Sequence, residues 1–192
     1  MNQQQQHMRT TITTTSSEAM TRKSLKLNNV YDDWRSDAVV DVMHLDEENV
    51  QQCLDEFIDS AYGEQMFGKH DRASMIGITG SITLMELCGP EVILSLDGEF
   101  WHRRETVLGR AAMWLNARMP EITHVTVQDP DMLKDYDEIL DEFTGDVIKR
   151  MDRRSPDFNG DRETMEYQGI DPDMRGPFPP GVGGPGLTIN PM

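Results

Sequence analysis

Cysteine is scarce in this chain: two of 192 residues, Cys53 and Cys88. Two thiols so far apart make neither a multi-disulfide framework nor a local zinc clasp, and the start of the chain carries no apolar secretory stretch. A reducing intracellular compartment is therefore expected: the cytoplasm, or an organelle matrix or stroma if the N-terminal segment is a targeting peptide. Long apolar runs are missing too. Nothing approaches the ~20 residues needed to cross a bilayer, so membrane insertion is not expected. Basic side chains are few, 18 Lys and Arg against 34 Asp and Glu, for a net charge of −16. The first 28 residues hold four of the basic residues and one acid, which leaves 14 against 33 in the rest. So acidic a body repels phosphate backbones, which excludes nucleic acid as a partner and favours a protein with a basic surface, bound in a salt-sensitive way. Catalytic templates are also absent: there is no His-Glu-x-x-His, no Gly-x-Ser-x-Gly and no Gly-x-x-x-x-Gly-Lys, so no enzyme is expected.

What is present suits one modest domain between tails, since 37% of residues are hydrophobic and a domain takes roughly 100–200 residues. Residues 1–28 contain the run Gln3 to Gln6 and a Ser/Thr-rich stretch from Thr10 to Ser17, too polar to offset chain entropy, and read as disordered or as a targeting segment. Residues 152–192 hold 7 of the 10 prolines and 7 of the 15 glycines and read as an extended, flexible tail. Pro177 and Pro180 have PxxP spacing, a pattern that proline-rich tails also produce by chance.

Between the tails, in residues 29–151, the patterning predicts an α+β domain. Asp46 can cap a helix whose apolar positions Val50, Leu54, Phe57 and Ile58 recur at three and four, with Cys53 in the same stripe, Glu47 and Glu48 in the first turn, and Tyr62 as a further candidate. The segment around Trp34 fits strand or helix. After a stretch with Gly63, Gly68, Gly77 and Gly80, runs Ser81–Leu87 and Glu91–Asp97 flank the turn Cys88-Gly89-Pro90 and should pair antiparallel. Arg104–Met119 reads as a helix stopped by Pro120, and Thr123, Val125 and Val127 alternate as a third strand. A strand, a helix and a strand make a crossover unit, so strands two and three should be parallel. The steps of three and four in Leu133, Tyr136, Leu140, Phe143, Val147 and Met151 predict a last helix, Asp131–Met151, to cover the small sheet or offer an apolar stripe to a partner. The order is α-β-β-α-β-α around a mixed three-stranded sheet.

Three short pieces point to a family: Leu54-Asp55-Glu56, the strand end Leu96-Asp97-Gly98, and Met119-Pro120-Glu121-Ile122 before a β-run. Over roughly residues 46–128 the chain resembles the C-terminal domain of NifU-like iron–sulfur scaffold proteins. That resemblance implies a helix, a strand pair, a ligand loop, a second helix and a last strand. The family's chemistry depends on Cys-x-x-Cys after the strand's glycine, with two thiolates from each of two chains holding a cluster. Here the position reads Gly98-Glu99-Phe100-Trp101-His102-Arg103-Arg104, and the loop is about three residues shorter by the count back from Pro120. The resemblance thus implies a fold kept and a cluster site lost: a non-catalytic interaction or scaffold module, with no cofactor and with a homodimer left open. One alternative is an iron–sulfur assembly factor whose dimer supplies Cys53 or Cys88, with His102.

The loop Trp101, His102, Arg103 and Arg104 is the candidate contact site, for an anion or for a partner. Two guanidiniums beside a helix N-terminus could bind phosphate or carboxylate, which makes a small-anion-binding protein the other alternative. In the plainer reading Arg103 and Arg104 pair with Glu99 and Glu105 while Trp101 packs on the hairpin. The acids Asp129, Asp131, Asp135, Asp137, Glu138, Asp141 and Glu142 read as a solvated face. Asp157-Phe158-Asn159-Gly160-Asp161 mimics a calcium loop but has Arg162 where glycine is needed and Gln168 where the bidentate Glu belongs.

Overall fold

A computed structural model describes residues 41–60, 62–174 and 188–189. The expectations for residues 1–28, for Trp34 and for Pro177 and Pro180 fall outside them.

Helix α1 (Glu47–Ile58) begins where the sequence puts its cap: Asp46 accepts the backbone N–H of Asn49 at 2.8 Å, satisfying a donor that the first helical turn leaves unpaired. Val50, Cys53, Leu54 and Phe57 form its buried stripe. Tyr62 lies beyond the helix end, and is nevertheless buried. A single 3₁₀ turn (Gly63–Gln65) and the short helix α2 (Asp71–Met75) fill the glycine-containing stretch.

Strands β1 (Ser81–Cys88) and β2 (Glu91–Asp97) pair antiparallel from Ser81↔Asp97 to Cys88↔Glu91, with a bulge between Leu84 and Glu86. Helix α3 (Arg104–Arg118) then crosses over, and β3 (His124–Val127) runs parallel to β2. Thr188–Ile189 add a two-residue parallel strand beside β3. The register puts Ile82, Leu84, Val92, Leu94, Leu96, Val125 and Val127 on one face. Most of these are fully buried, with Val107, Leu108, Ala111 and Leu115 of α3 and the α1 stripe. Truncating one such leucine to alanine costs about 2–5 kcal/mol. α1 and α3 are locked by the Trp114 indole N–H, which donates to the Cys53 carbonyl at 3.1 Å. Phe57 stands 5.5 Å from the Trp114 ring and 5.6 Å, edge-on, from Phe67. Contacts of this kind add about 0.5–1.5 kcal/mol each beyond their burial.

Two expectations need correction. Residues 131–151 are not a helix. Pro130–Leu133 form a 3₁₀ turn capped by Asp129, and the chain then makes an antiparallel hairpin, β4 (Tyr136–Leu140) with β5 (Val147–Asp152). The Asp141 carboxylate accepts the N–H groups of Phe143 and Thr144 at 2.8 and 3.0 Å, and Gly145 takes φ +73°, so local bonds close a turn where the helix would need its middle. Nor does the folded body stop at 151. Residues 153–174 carry a 3₁₀ turn, helix α4 (Asp161–Tyr167) and a second 3₁₀ turn, Pro172–Met174, held to the domain by Arg103 and Arg110, which reach Asp171 and Asp173, and by Arg162 over the Trp101 ring. Proline and glycine content alone could not show this, because the anchors are single charged side chains far away in sequence.

Candidate functional site: the Gly98–Arg104 corner and the β4–β5 arm

The corner after β2 is built by glycine. Gly98 has φ +79°, and a Cβ there would stand 2.4 Å from the Thr79 carbonyl oxygen. The close approach lets Thr79 and Gly80 donate to the Glu99 carbonyl at 3.0 and 2.9 Å, and buries Phe100 against Gly80.

From this base the four predicted contact residues go different ways. Arg104 turns inward with only 3% of its surface exposed, donating to the carbonyls of Leu96, Gly98 and Met132 under cover of the Phe100 ring. Burial, with Arg153 nearby, lowers its pKa. Its backbone N–H donates to Asp135, whose carboxyl is raised by burial against the pull of that bond. Arg103 reaches Asp171 at 2.9 Å and Asp173 at 3.0 Å. Burial alone would lower its pKa, and the two carboxylates reverse the sign. These partners are not Glu99 and Glu105, the pair that sequence proximity suggested. Both guanidiniums are engaged within the chain.

Trp101 does not pack on the β1–β2 hairpin. It joins Ala73 and Ile78, stacks under the Arg162 guanidinium at 5.3 Å, and gives its indole N–H to Asp157. Asp157 also accepts the backbone N–H groups of Arg162 and Glu163, both at 2.9 Å, so the acid that opens the calcium-loop lookalike satisfies first-turn donors of α4, whose N-cap position is Gly160. His102 is buried edge-on to Trp101, with ring centroids 5.0 Å apart.

Trp101 and His102, with Ala73 and Ile78, form the floor of a cavity of about 550 Å³. Glu64, Arg72 and Asp161 bring charge to its walls, and Phe158, half exposed, stands at the rim beside Asn159. Asn159 holds φ +60°, the one described non-glycine residue in the left-handed region. Sequence reading found Trp101 and His102 and missed the rest. Arg72 lies in a polar stretch without any periodic signal, and three separate chain segments meet here.

The second feature is the β4–β5 arm. Every residue of both strands is exposed, yet Tyr136, Ile139, Leu140, Val147, Ile148 and Met151 are apolar or aromatic, and Phe143 at the tip is 97% exposed. An Arg150–Glu138 ion pair at 2.7 Å bridges the strands, and Arg154 clamps Tyr136 at the base. The tip is acidic, with Asp141, Glu142 and Asp146 around Phe143.

The cysteines stand apart in character. Cys53 is fully buried, and desolvation pushes its thiol up to about 12, while Cys88 is exposed at the end of β1 and donates to Glu86 at 3.1 Å. A ligand site using Cys53 would require opening the core. Among the described residues no cluster of His, Cys, Asp or Glu has the arrangement of a metal site, and no helix is long and apolar enough to cross a membrane. No protein-family model, curated protein or solved structure matches the chain.

Proposed function

We propose that this chain is a non-catalytic protein-interaction module on a NifU C-terminal-like fold that lacks the cluster ligands. Its β4–β5 arm docks an extended segment of a partner that alternates basic and apolar residues. One observation carries this reading: Phe143, almost wholly exposed, sits on a turn fixed by the Asp141 carboxylate, so its exposure is constructed rather than a loose end. Around it Ile139, Leu140 and Ile148 are exposed as well. A large apolar group held in water at the tip of an ordered arm is the mark of a contact surface. A lone two-stranded hairpin is marginal in water and gains from a third strand.

Charge selects the occupant. Asp141, Glu142 and Asp146 at the tip, on a chain of net −16, attract Lys and Arg and repel an acidic segment. The element order of α1 to β3 supports the family part of the reading, being the order that the resemblance implies apart from the short helix α2 inserted before β1. The inward arginines support a structural rather than catalytic corner, and two unpaired thiols support a reducing compartment.

The test is fluorescence anisotropy with a labelled peptide of alternating Lys and Leu, against a Glu/Leu peptide and a Lys/Leu peptide of the same composition without alternation. The alternating basic peptide should bind, roughly tenfold weaker at high salt and to the Phe143→Ser/Ile148→Ser variant. Equal binding by the variant, or by the Glu/Leu peptide, would overturn the reading.

A further inference from the structure

The first turn of α3 already holds an anion, and the chain itself supplies it. Arg103 is the N-cap position of that helix, and both its backbone N–H and its guanidinium reach the Asp173 carboxylate. The Thr106 hydroxyl donates to the same carboxylate at 2.8 Å, while the Arg103 guanidinium also takes Asp171 at 2.9 Å. Arg110 donates to the Asp173 backbone carbonyl, and Pro172, between the two acids, is buried. The next helical N–H, of Arg104, goes to Asp135. A helix N-terminus and a guanidinium each favour a carboxylate, and here both act on one group. The segment that carries the acids is lightly tethered. Between α4 and Asp171, the N–H groups of Gln168, Gly169 and Ile170 donate back to Thr164, Glu166 and Met165 of α4, and Gly169 turns at φ +73°. Ile170 and Asp171 are half exposed. A short segment that the body holds through charged and polar groups opens before a packed core does.

We propose that Asp171-Pro172-Asp173 is a built-in ligand, and that the N-terminal turn of α3 binds an acidic Asp-Pro-Asp-like peptide of a partner when this strap lifts. The strap shows what the site recognises. A peptide of this kind matches every contact it makes: two carboxylates flanking one residue for Arg103, Thr106 and the helix turn, a backbone carbonyl for Arg110, and an apolar ring between the acids. Inorganic phosphate or a free carboxylate matches only the helix turn, Arg103 and Thr106. Strap and partner compete for one site, so the fraction of open chains sets the apparent affinity. A strap open in about one chain in a hundred weakens partner binding about a hundredfold. Replacing the strap's charges removes that handicap and leaves the site's own donors intact.

Fluorescence anisotropy of the full chain with a labelled peptide of residues 170–174, blocked at both ends, tests this. The Asp171→Asn/Asp173→Asn variant keeps the strap's shape without its charge and should bind the peptide roughly tenfold or more tightly than wild type does. Adding Arg103→Met removes a half-exposed guanidinium, so the fold should survive while affinity falls roughly tenfold or more. An Asn-Pro-Asn peptide should bind none of these chains. A second readout needs wild type alone: excess acidic peptide should speed thermolysin cleavage before Ile170, and the Asn-Pro-Asn peptide should not. Four results would each overturn the assignment: no binding by a double variant that keeps the wild-type circular dichroism, equal binding by wild type and double variant, unchanged affinity with Arg103→Met, or equal binding of the Asn-Pro-Asn peptide. Wild-type cleavage indifferent to the acidic peptide would do so as well. None of these outcomes bears on the β4–β5 arm.

Discussion

The Arg103 guanidinium stands 3.0 Å from the Asp173 carboxylate, and the Arg103 backbone N–H donates to the same side chain at 3.1 Å. Thr106 gives its hydroxyl to the other oxygen at 2.8 Å, and buried Arg110, lowered to about 10 by desolvation, donates to the Asp173 carbonyl. One aspartate thus ties the chain's C-terminal segment to the N-terminal half of α3.

Replacing Asp173 with alanine should cost about 1–3 kcal/mol, because several bonds are lost at a carboxylate with little exposure. Asp171 is half exposed and its pair with Arg103 is screened, so Asp171→Ala should cost no more than about 1 kcal/mol. Urea denaturation gives both values, and limited proteolysis of Asp173→Ala should cut between α4 and residue 174 before the body unfolds.

The Gly98 corner gives a comparison with Gly89. Both have positive φ, but a Cβ at Gly89 meets nothing within 4 Å, whereas at Gly98 it collides with backbone. Gly89→Ala should cost about 1 kcal/mol and Gly98→Ala distinctly more, in thermal melts of the two variants.

Thiol chemistry should separate the two cysteines. At neutral pH iodoacetamide should label Cys88 and spare Cys53 until the chain unfolds. Cys88 is itself held above the usual thiol pKa by its bond to Glu86, so Glu86→Gln should speed its labelling. The folded chain keeps the Cys53 proton up to about 12, while the unfolded chain releases it near 9. Its contribution is complete below pH 9 and is lost as pH rises towards 12, at up to about 1.4 kcal/mol per pH unit. The same titration on Cys53→Ser should lack that loss.

Asp141 titrates in the opposite sense. The N–H groups of Thr144 and Phe143 favour its ionised form and hold its pKa below the usual aspartate range. Its support of the turn is present at neutral pH and disappears as pH falls through that depressed value. The Phe143 and Thr144 amide resonances, followed by NMR, should shift together there, and Asp141→Asn should abolish the coupled shift.

Much of the α1-to-β3 architecture was legible because its signals are local: Asp46 at a cap, alternating Val92, Leu94 and Leu96, Pro120 closing a helix. Residues 131–151 misled because Leu133, Tyr136, Leu140, Phe143, Val147 and Met151 fit a helical stripe by spacing alone. The Asp141 turn and the Ile139↔Lys149 register decided otherwise. The corner was found at Trp101 and His102, but the fate of its arginines was hidden, since Asp171 and Asp173 lie some 70 residues away and backbone carbonyls leave no mark in a sequence. Glu64, Arg72 and Asp161 converge only once the chain has folded.

Chemical-shift mapping with the alternating Lys/Leu peptide addresses the arm most directly. The account predicts amide perturbations concentrated in residues 139–148, strongest at Phe143 and Ile148, and lost in Phe143→Ser/Ile148→Ser. Perturbations centred on α1 or α3, or none at peptide saturation, would contradict it.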